Sequence, residues 1–116
     1  MNAEVYRDYA FKVAAASAQV DLEIKVPLEY AVVVLHKVVA VDYTSSPGFV
    51  KLGVLDGKTY HWYNIAASPT AGTTVYIPQR VLVVGGDKIV ARFQDATEDD
   101  ELWLWINGLA YKKAEG

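Results

Sequence analysis

Apolar residues recur at every second position through Val20, Leu22, Ile24 and Val26, with Asp21, Glu23 and Lys25 between them. Successive side chains of a strand point to opposite sides, so this run predicts a strand with one buried and one wet face. Pro27 lacks a backbone N–H and ends it. Residues 30–43 follow, apolar and rich in valine apart from His36 and Lys37. β-Branched side chains lose rotamer freedom in a helix, so this stretch reads as one long strand, bent near His36. Thr44-Ser45-Ser46-Pro47-Gly48 has the composition of a loop.

Residues 49–55 and 58–65 flank Asp56-Gly57, a pair that predicts a hairpin with a type I′ turn, which needs positive φ at both central positions. A loop over 66–72 leads to short strands at 73–77 and 80–84 around Pro78. Gly85-Gly86 then turns the chain into 87–94, where Ile89, Ala91 and Phe93 alternate with Lys88, Val90 and Arg92. Residues 95–100 form an acidic loop. The runs 101–106 and 109–112, on either side of Asn107-Gly108, read as a second hairpin by the same turn chemistry. At the N-terminus Val5, Tyr9 and Val13 lie four apart, as on a helix, but Val5, Arg7, Tyr9, Phe11 and Val13 also alternate. Aromatic and β-branched residues dominate up to Val13, which favours a strand. The predicted fold is all-β: a single antiparallel β-sandwich over residues 1–116, a jelly roll of about 8–10 short strands. Residues 1–16 serve as an N-terminal arm or edge strand.

Composition agrees. Val, Ile, Thr and the aromatic residues make up 42 of 116 residues, 17 of them valine, and 53% of the chain is hydrophobic. A chain this apolar can form a core and is not disordered. Eleven Lys and Arg against 14 Asp and Glu give a net charge of -3. No basic stripe is present, so no nucleic-acid partner is expected. The chain has no cysteine, which excludes disulfides, thiolate metal sites and thiol nucleophiles. Its first residues lack the basic and apolar regions of a signal peptide, and no apolar run approaches the ~20 residues of a membrane helix. The expectation is a protein made in the cytoplasm, with no membrane partner.

Little in the sequence carries chemistry. The only imidazoles are His36 and His61. His36, inside the most apolar stretch, reads as a hydrogen-bonded structural histidine, and His61 as a rim residue beside Tyr63. A hydrolase on this scaffold would need one of them against a carboxylate. Glu98-Asp99-Asp100-Glu101 is the one acidic run, but consecutive side chains diverge and no glycine interrupts them, so a solvated turn is expected instead of a calcium loop. Gly85-Gly86-Asp87 lacks the lysine and following helix of a phosphate loop. No metal and no cofactor are expected.

Aromatic placement is more informative. Over 101–106 the alternation sets Leu102, Leu104 and Ile106 on one face and Trp103 and Trp105 on the other, and Tyr60 and Trp62 repeat the excess on another strand. One face must fill the core. The other is covered by the chain itself, docks to a subunit or protein, or stacks on a sugar. The contact candidates are Tyr60, Trp62, Trp103, Trp105 and, on the first segment, Val5, Tyr9 and Phe11.

The C-terminal stretch "IPQRVLVVGGDKIVARFQDATEDDELWLWINGLAYKK" places a strand near 81–84, the Gly85-Gly86-Asp87 turn, a second strand, a Thr/Asp loop and a final hairpin. In this layout, from about Phe11 to Lys113, the chain resembles small jelly-roll virion proteins of tailed bacteriophages, such as capsid decoration and tail-associated subunits. The resemblance implies a non-enzymatic structural role, a homo-oligomer or a contact with other virion proteins, residence in the virion, and no catalytic residues. A carbohydrate-binding β-sandwich that presents the same Trp and Tyr residues to glycans is the alternative.

Overall fold

A computed structural model describes residues 2–16 and 19–114, and every regular element among them is a strand. In chain order these are β1 (Ala3–Val13), β2 (Gln19–Lys25), β3 (Tyr30–Asp42), β4 (Phe49–Asp56), β5 (Thr59–Ala67), β6 (Val75–Tyr76), β7 (Val81–Val83), β8 (Lys88–Gln94) and β9 (Glu101–Lys112). One sheet runs β1-β9-β3-β6 with β7 also on β3, and the other runs β2-β8-β4-β5. All pairings are antiparallel.

The strand order follows from nested pairing. β6 meets β3 at Val39 and Ala40, and β7 meets it at Val33 to Leu35. These two act as one strand interrupted around Pro78, which cannot donate to a ladder. The first strand then pairs with the last, the second with the next to last, the third with the interrupted strand, and β4 with β5. A long hairpin rolled over itself in this way is a jelly-roll sandwich.

Alternation decides which side chains meet between the sheets. Leu22 and Ile24 on β2, Val33 and Leu35 on β3, Leu52 on β4, Ile89 and Phe93 on β8, and Leu102, Leu104 and Ile106 on β9 are all buried. Each large side chain so buried contributes about 1.5–3 kcal/mol of gross transfer free energy. The first segment is a strand, and it forms one edge of its sheet. Tyr6 is its one buried residue, and its ring meets Tyr30 edge-on at 5.5 Å.

Three local expectations are corrected. Asn107-Gly108 makes no hairpin, because β9 runs unbroken between β1 and β3. The glycine is needed for a different reason: a Cβ at Gly108 would run into the Val34 carbonyl. Tyr6 lies directly opposite Gly108 on β1. The β4–β5 turn is centred on Gly57-Lys58, with Asp56 paired to Thr59. Gly57 alone of these has positive φ, at 67°, so the turn has one left-handed position instead of two. His36 is not buried. The β3–β9 register shifts between Leu35 and Lys37, and His36 is the extra residue, exposed at that bulge. The predicted bend falls there, since a bulge bends its strand.

Candidate functional site

The outer face of the β1-β9-β3 sheet carries the densest aromatic surface. Leu102, Leu104 and Ile106 fill the core, so Trp103 and Trp105 must face outward. Register supplies their neighbours. Phe11 lies opposite Trp103 and Tyr9 opposite Trp105 on β1, with Val41 and Val39 on β3. Ring centroids are 4.5 Å apart for Phe11–Trp103, 5.8 Å for Tyr9–Trp103 and 6.3 Å for Tyr43–Trp105. Tyr9 is 62% exposed, Tyr43 51% and Phe11 40%.

The two indoles are parallel to within 7° at 5.5 Å between centroids. Flat rings this close cannot lie side by side in one plane, so they form an offset stack, each using part of a face on its neighbour.

A polar row crosses the same face next to the band, with Arg7 opposite Asn107 and Asn107 opposite Lys37. Between this row and Trp105 lies a shallow depression of about 440 Å³, lined by Arg7, Asp8, Tyr9, Trp105, Ile106 and Asn107. Beyond the row, Val5 (68% exposed) and Leu82 (69% exposed) continue the apolar surface.

Tyr60 and Trp62 belong to the outer face of the other sheet and are not brought together with Trp103 and Trp105. Their rings are parallel to within 6° at 5.2 Å. The Arg92 guanidinium lies 4.8 Å from the Tyr60 centroid and 5.0 Å from that of Trp62. Arg92 is itself held by Asp21 through two hydrogen bonds of 3.0 Å. Lys51 reaches the Trp62 ring at 5.6 Å. A Cβ at Gly53 would run into the His61 carbonyl and crowd the Trp62 ring, so glycine is what lets β5 and its indole approach β4 this closely. This second cluster is partly capped by the chain's own cations, whereas the first is open.

The acidic run is not a wholly solvated turn. Glu98, Asp99 and Glu101 are exposed, but Asp100 is 1% exposed and Asp42 3%. Asp42 Oδ1 accepts from the N–H groups of Thr44 and Ser45, at 3.0 and 3.1 Å. Asp100 Oδ2 accepts from the Ser45 hydroxyl at 2.6 Å and the Thr97 N–H at 3.0 Å. The remaining oxygens, Asp42 Oδ2 and Asp100 Oδ1, are buried without a donor. Burial, and then the hydrogen bond to Asp100, push the Asp42 carboxyl up to about 6, while hydrogen bonds from Asp42, Ser45 and Thr97 hold Asp100 below the usual range. Below about pH 6 the pair therefore holds one proton between two carboxyl groups, and through Ser45 it ties the loop after β3 to the loop before β9.

The imidazoles sit apart from both clusters. His61 Nε2 contacts Asp56 Oδ2 across the β4–β5 hairpin at 2.5 Å, both side chains about half exposed. His36 lines a groove of about 410 Å³ with Lys37, Val39, Thr74, Tyr76 and Pro78, and no carboxylate is among its lining residues. Among the described residues, no three His, Cys, Asp or Glu side chains stand where they could share a metal ion. No helix among them is long and apolar enough to cross a membrane.

Tyr43 and Asp42 escaped the sequence reading, although Tyr43 continues the alternation of Val39 and Val41. Nothing in the sequence pairs Asp42 with Asp100, 58 positions on.

No protein-family model and no curated protein matches the chain. Among solved structures it is similar to a chain of infectious bursal disease virus, Gx strain, at 10% identity and a TM-score of 0.46, over 100% of this chain and 34% of that one. It is similar to a chain of the disulfide-linked pili of Bacillus endospore appendages at 13% identity and a TM-score of 0.47, covering 98% and 93%. A third is the GH26-CBM35 beta-(1,4)-mannanase of Podospora anserina, at 10% identity and a TM-score of 0.36, covering 98% and 28%. The chain thus spans about a third of the viral protein and less of the mannanase. Likeness of this degree carries nothing about ligand or partner.

Proposed function

We propose that this chain is a non-enzymatic structural subunit of a virus particle, a capsid decoration or tail-associated protein that docks to neighbouring protein through its outer aromatic face. One observation carries the docking role: Tyr9, Phe11, Trp103, Trp105 and Tyr43 form one contiguous aromatic surface, with Tyr9, Phe11 and Tyr43 exposed and the two tryptophans partly buried among them. Water is a poor solvent for such a surface, and burying it yields about 25 cal/mol per Å² before the costs of association. Trp and Tyr are also the side chains that most often anchor protein interfaces. The virion is named on the resemblance of the C-terminal stretch to small phage jelly-roll proteins.

The test is mass spectrometry of purified virus particles, followed by rebinding of the isolated chain to particles stripped of it. The wild type is expected to rebind, and the Trp103→Ala/Trp105→Ala double variant to lose binding by about 100-fold, as for paired hot-spot residues. Absence of the chain from particles, together with glycan-array binding that needs the same two tryptophans, would replace this reading with the carbohydrate one.

A further inference from the structure

We propose that β1 is a homotypic docking edge, on which a second copy of this chain lays its own β1 antiparallel with Ala10 on the two-fold axis. The inference rests on the reading above, that the chain is an assembling subunit, and it names one partner and one register.

β1 has a single hydrogen-bonded neighbour, β9, and among the described residues its other edge is open. Nine of its eleven positions are exposed, so neither face closes it off. A long open edge is a template for another strand unless charges restrict it. The Tyr9 N–H donates to the adjacent Asp8 Oδ1 at 2.8 Å. A strand N–H served by its own neighbouring side chain points away from β9. By alternation, the backbone groups of Arg7, Tyr9, Phe11 and Val13 face the open edge.

Charge selects the partner and the register. In an antiparallel self-pair, residues facing one another must lie on the same face, so the axis passes through a residue. About Arg7, two guanidinium groups meet, and about Asp8, two carboxylates meet. About Tyr9, Lys12 faces Tyr6 and Asp8 faces Ala10, so neither charge is answered. About Ala10, Asp8 faces Lys12 twice and Tyr9 faces Phe11 twice. These charge pairs fall at the non-hydrogen-bonded positions, where Cα atoms approach to about 4.5 Å and side chains are closest. The same register joins the aromatic bands, because Trp105 and Tyr9 of one copy run into Phe11 and Trp103 of the other. An unrelated strand would not carry this self-complementary pattern.

Light scattering across a concentration series and a cysteine cross-link test the idea. Lys12→Asp alone and Asp8→Lys alone are each expected to weaken self-association by about tenfold or more, and the double swap to restore it. Among the described residues of one copy, Lys12 Nζ donates to the Asp21 carbonyl and Asp8 accepts from the Tyr9 N–H, with no hydrogen bond between Lys12 and Asp8, so restoration reports pairing between copies. Ala10→Cys, in a chain with no other thiol, is expected to oxidise to a covalent dimer, since about 4.5 Å between Cα atoms suits a disulfide. Asp8→Cys, whose two copies sit about 13 Å apart in this register, is expected not to. A strict monomer that still rebinds particles would overturn this inference and leave the proposed function standing. Self-association indifferent to the charge swap, or equal cross-linking of both cysteine variants, would also overturn it.

Discussion

Asp42 and Asp100 are both buried, and each keeps one oxygen that no donor reaches. A proton shared between them relieves both, and the pair holds one below about pH 6. Asp42 is the partner raised, to about 6 against an ordinary value of 3.8. An acid whose pKa is higher in the folded state binds more protons there, so its stabilising contribution is complete below about pH 4 and is lost as pH rises through about 6. Asp100, held low, works in the opposite sense: its contribution is present above the ordinary carboxylate range and fades on acidification. The melting temperature is therefore expected to fall between about pH 4 and 6 and to fall again in strong acid. Asp42→Asn, whose amide can donate to Asp100 without titrating, is expected to flatten the first decline. A steep decline persisting in that variant would place the proton elsewhere.

The two faces of β9 are expected to respond differently to truncation. Leu104 is fully buried in the core, so Leu104→Ala should cost about 2–5 kcal/mol in urea denaturation. Trp105 is half-buried on the outer face and stacks on Trp103. Trp105→Ala should cost about 1–2 kcal/mol, the worth of the stacked pair plus part of the buried area, while weakening association strongly. Equal losses of stability would mean that the outer face serves folding more than docking.

Glycines give a second contrast. Gly108→Ala drives a methyl group into the Val34 carbonyl in the middle of the β3–β9 seam and is expected to destabilise by about 3 kcal/mol. Gly57→Ala meets open space and suffers only from its positive φ of 67°, a cost of about 1 kcal/mol. Denaturation midpoints of the two variants check the order.

Arg92 links Asp21 to the Tyr60–Trp62 pair, and its side chain is only 20% exposed. Lysine cannot reproduce the two-pronged hydrogen bond or the flat stacking of a guanidinium. Arg92→Lys is expected to cost about 1–2 kcal/mol. A double-mutant cycle with Asp21→Asn should return a coupling of about 1 kcal/mol, and a value near zero would make the contact incidental.

Much of this architecture was legible in the chain. The period of two through Val20 to Val26 and through 87–94 identified the strands and the residues that share a face. Proline and glycine marked most of the reversals. The pairing of Trp103 with Trp105 against Leu102 and Leu104 was visible as well. Gly108 shows why local signals fail. Asn-Gly permits a turn, but a chain turns only where the sheet ends, and here the crowding of β3 against β9 gives the glycine another use. His36 failed similarly, because a bulge in one strand is set by its register against another.

By itself, then, the sequence determined the β class, the faces of each strand and the absence of thiol chemistry, since these depend on side-chain identity and a two-residue period. Tertiary structure alone decided the rest: which face of β9 points inward, that Tyr9 and Phe11 join the tryptophans while Tyr60 and Trp62 do not, and that Asp42 meets Asp100. Those outcomes depend on the nested pairing of strands far apart in the chain. A period of two names the members of each face, but only the second sheet, by covering one of them, makes it the inside.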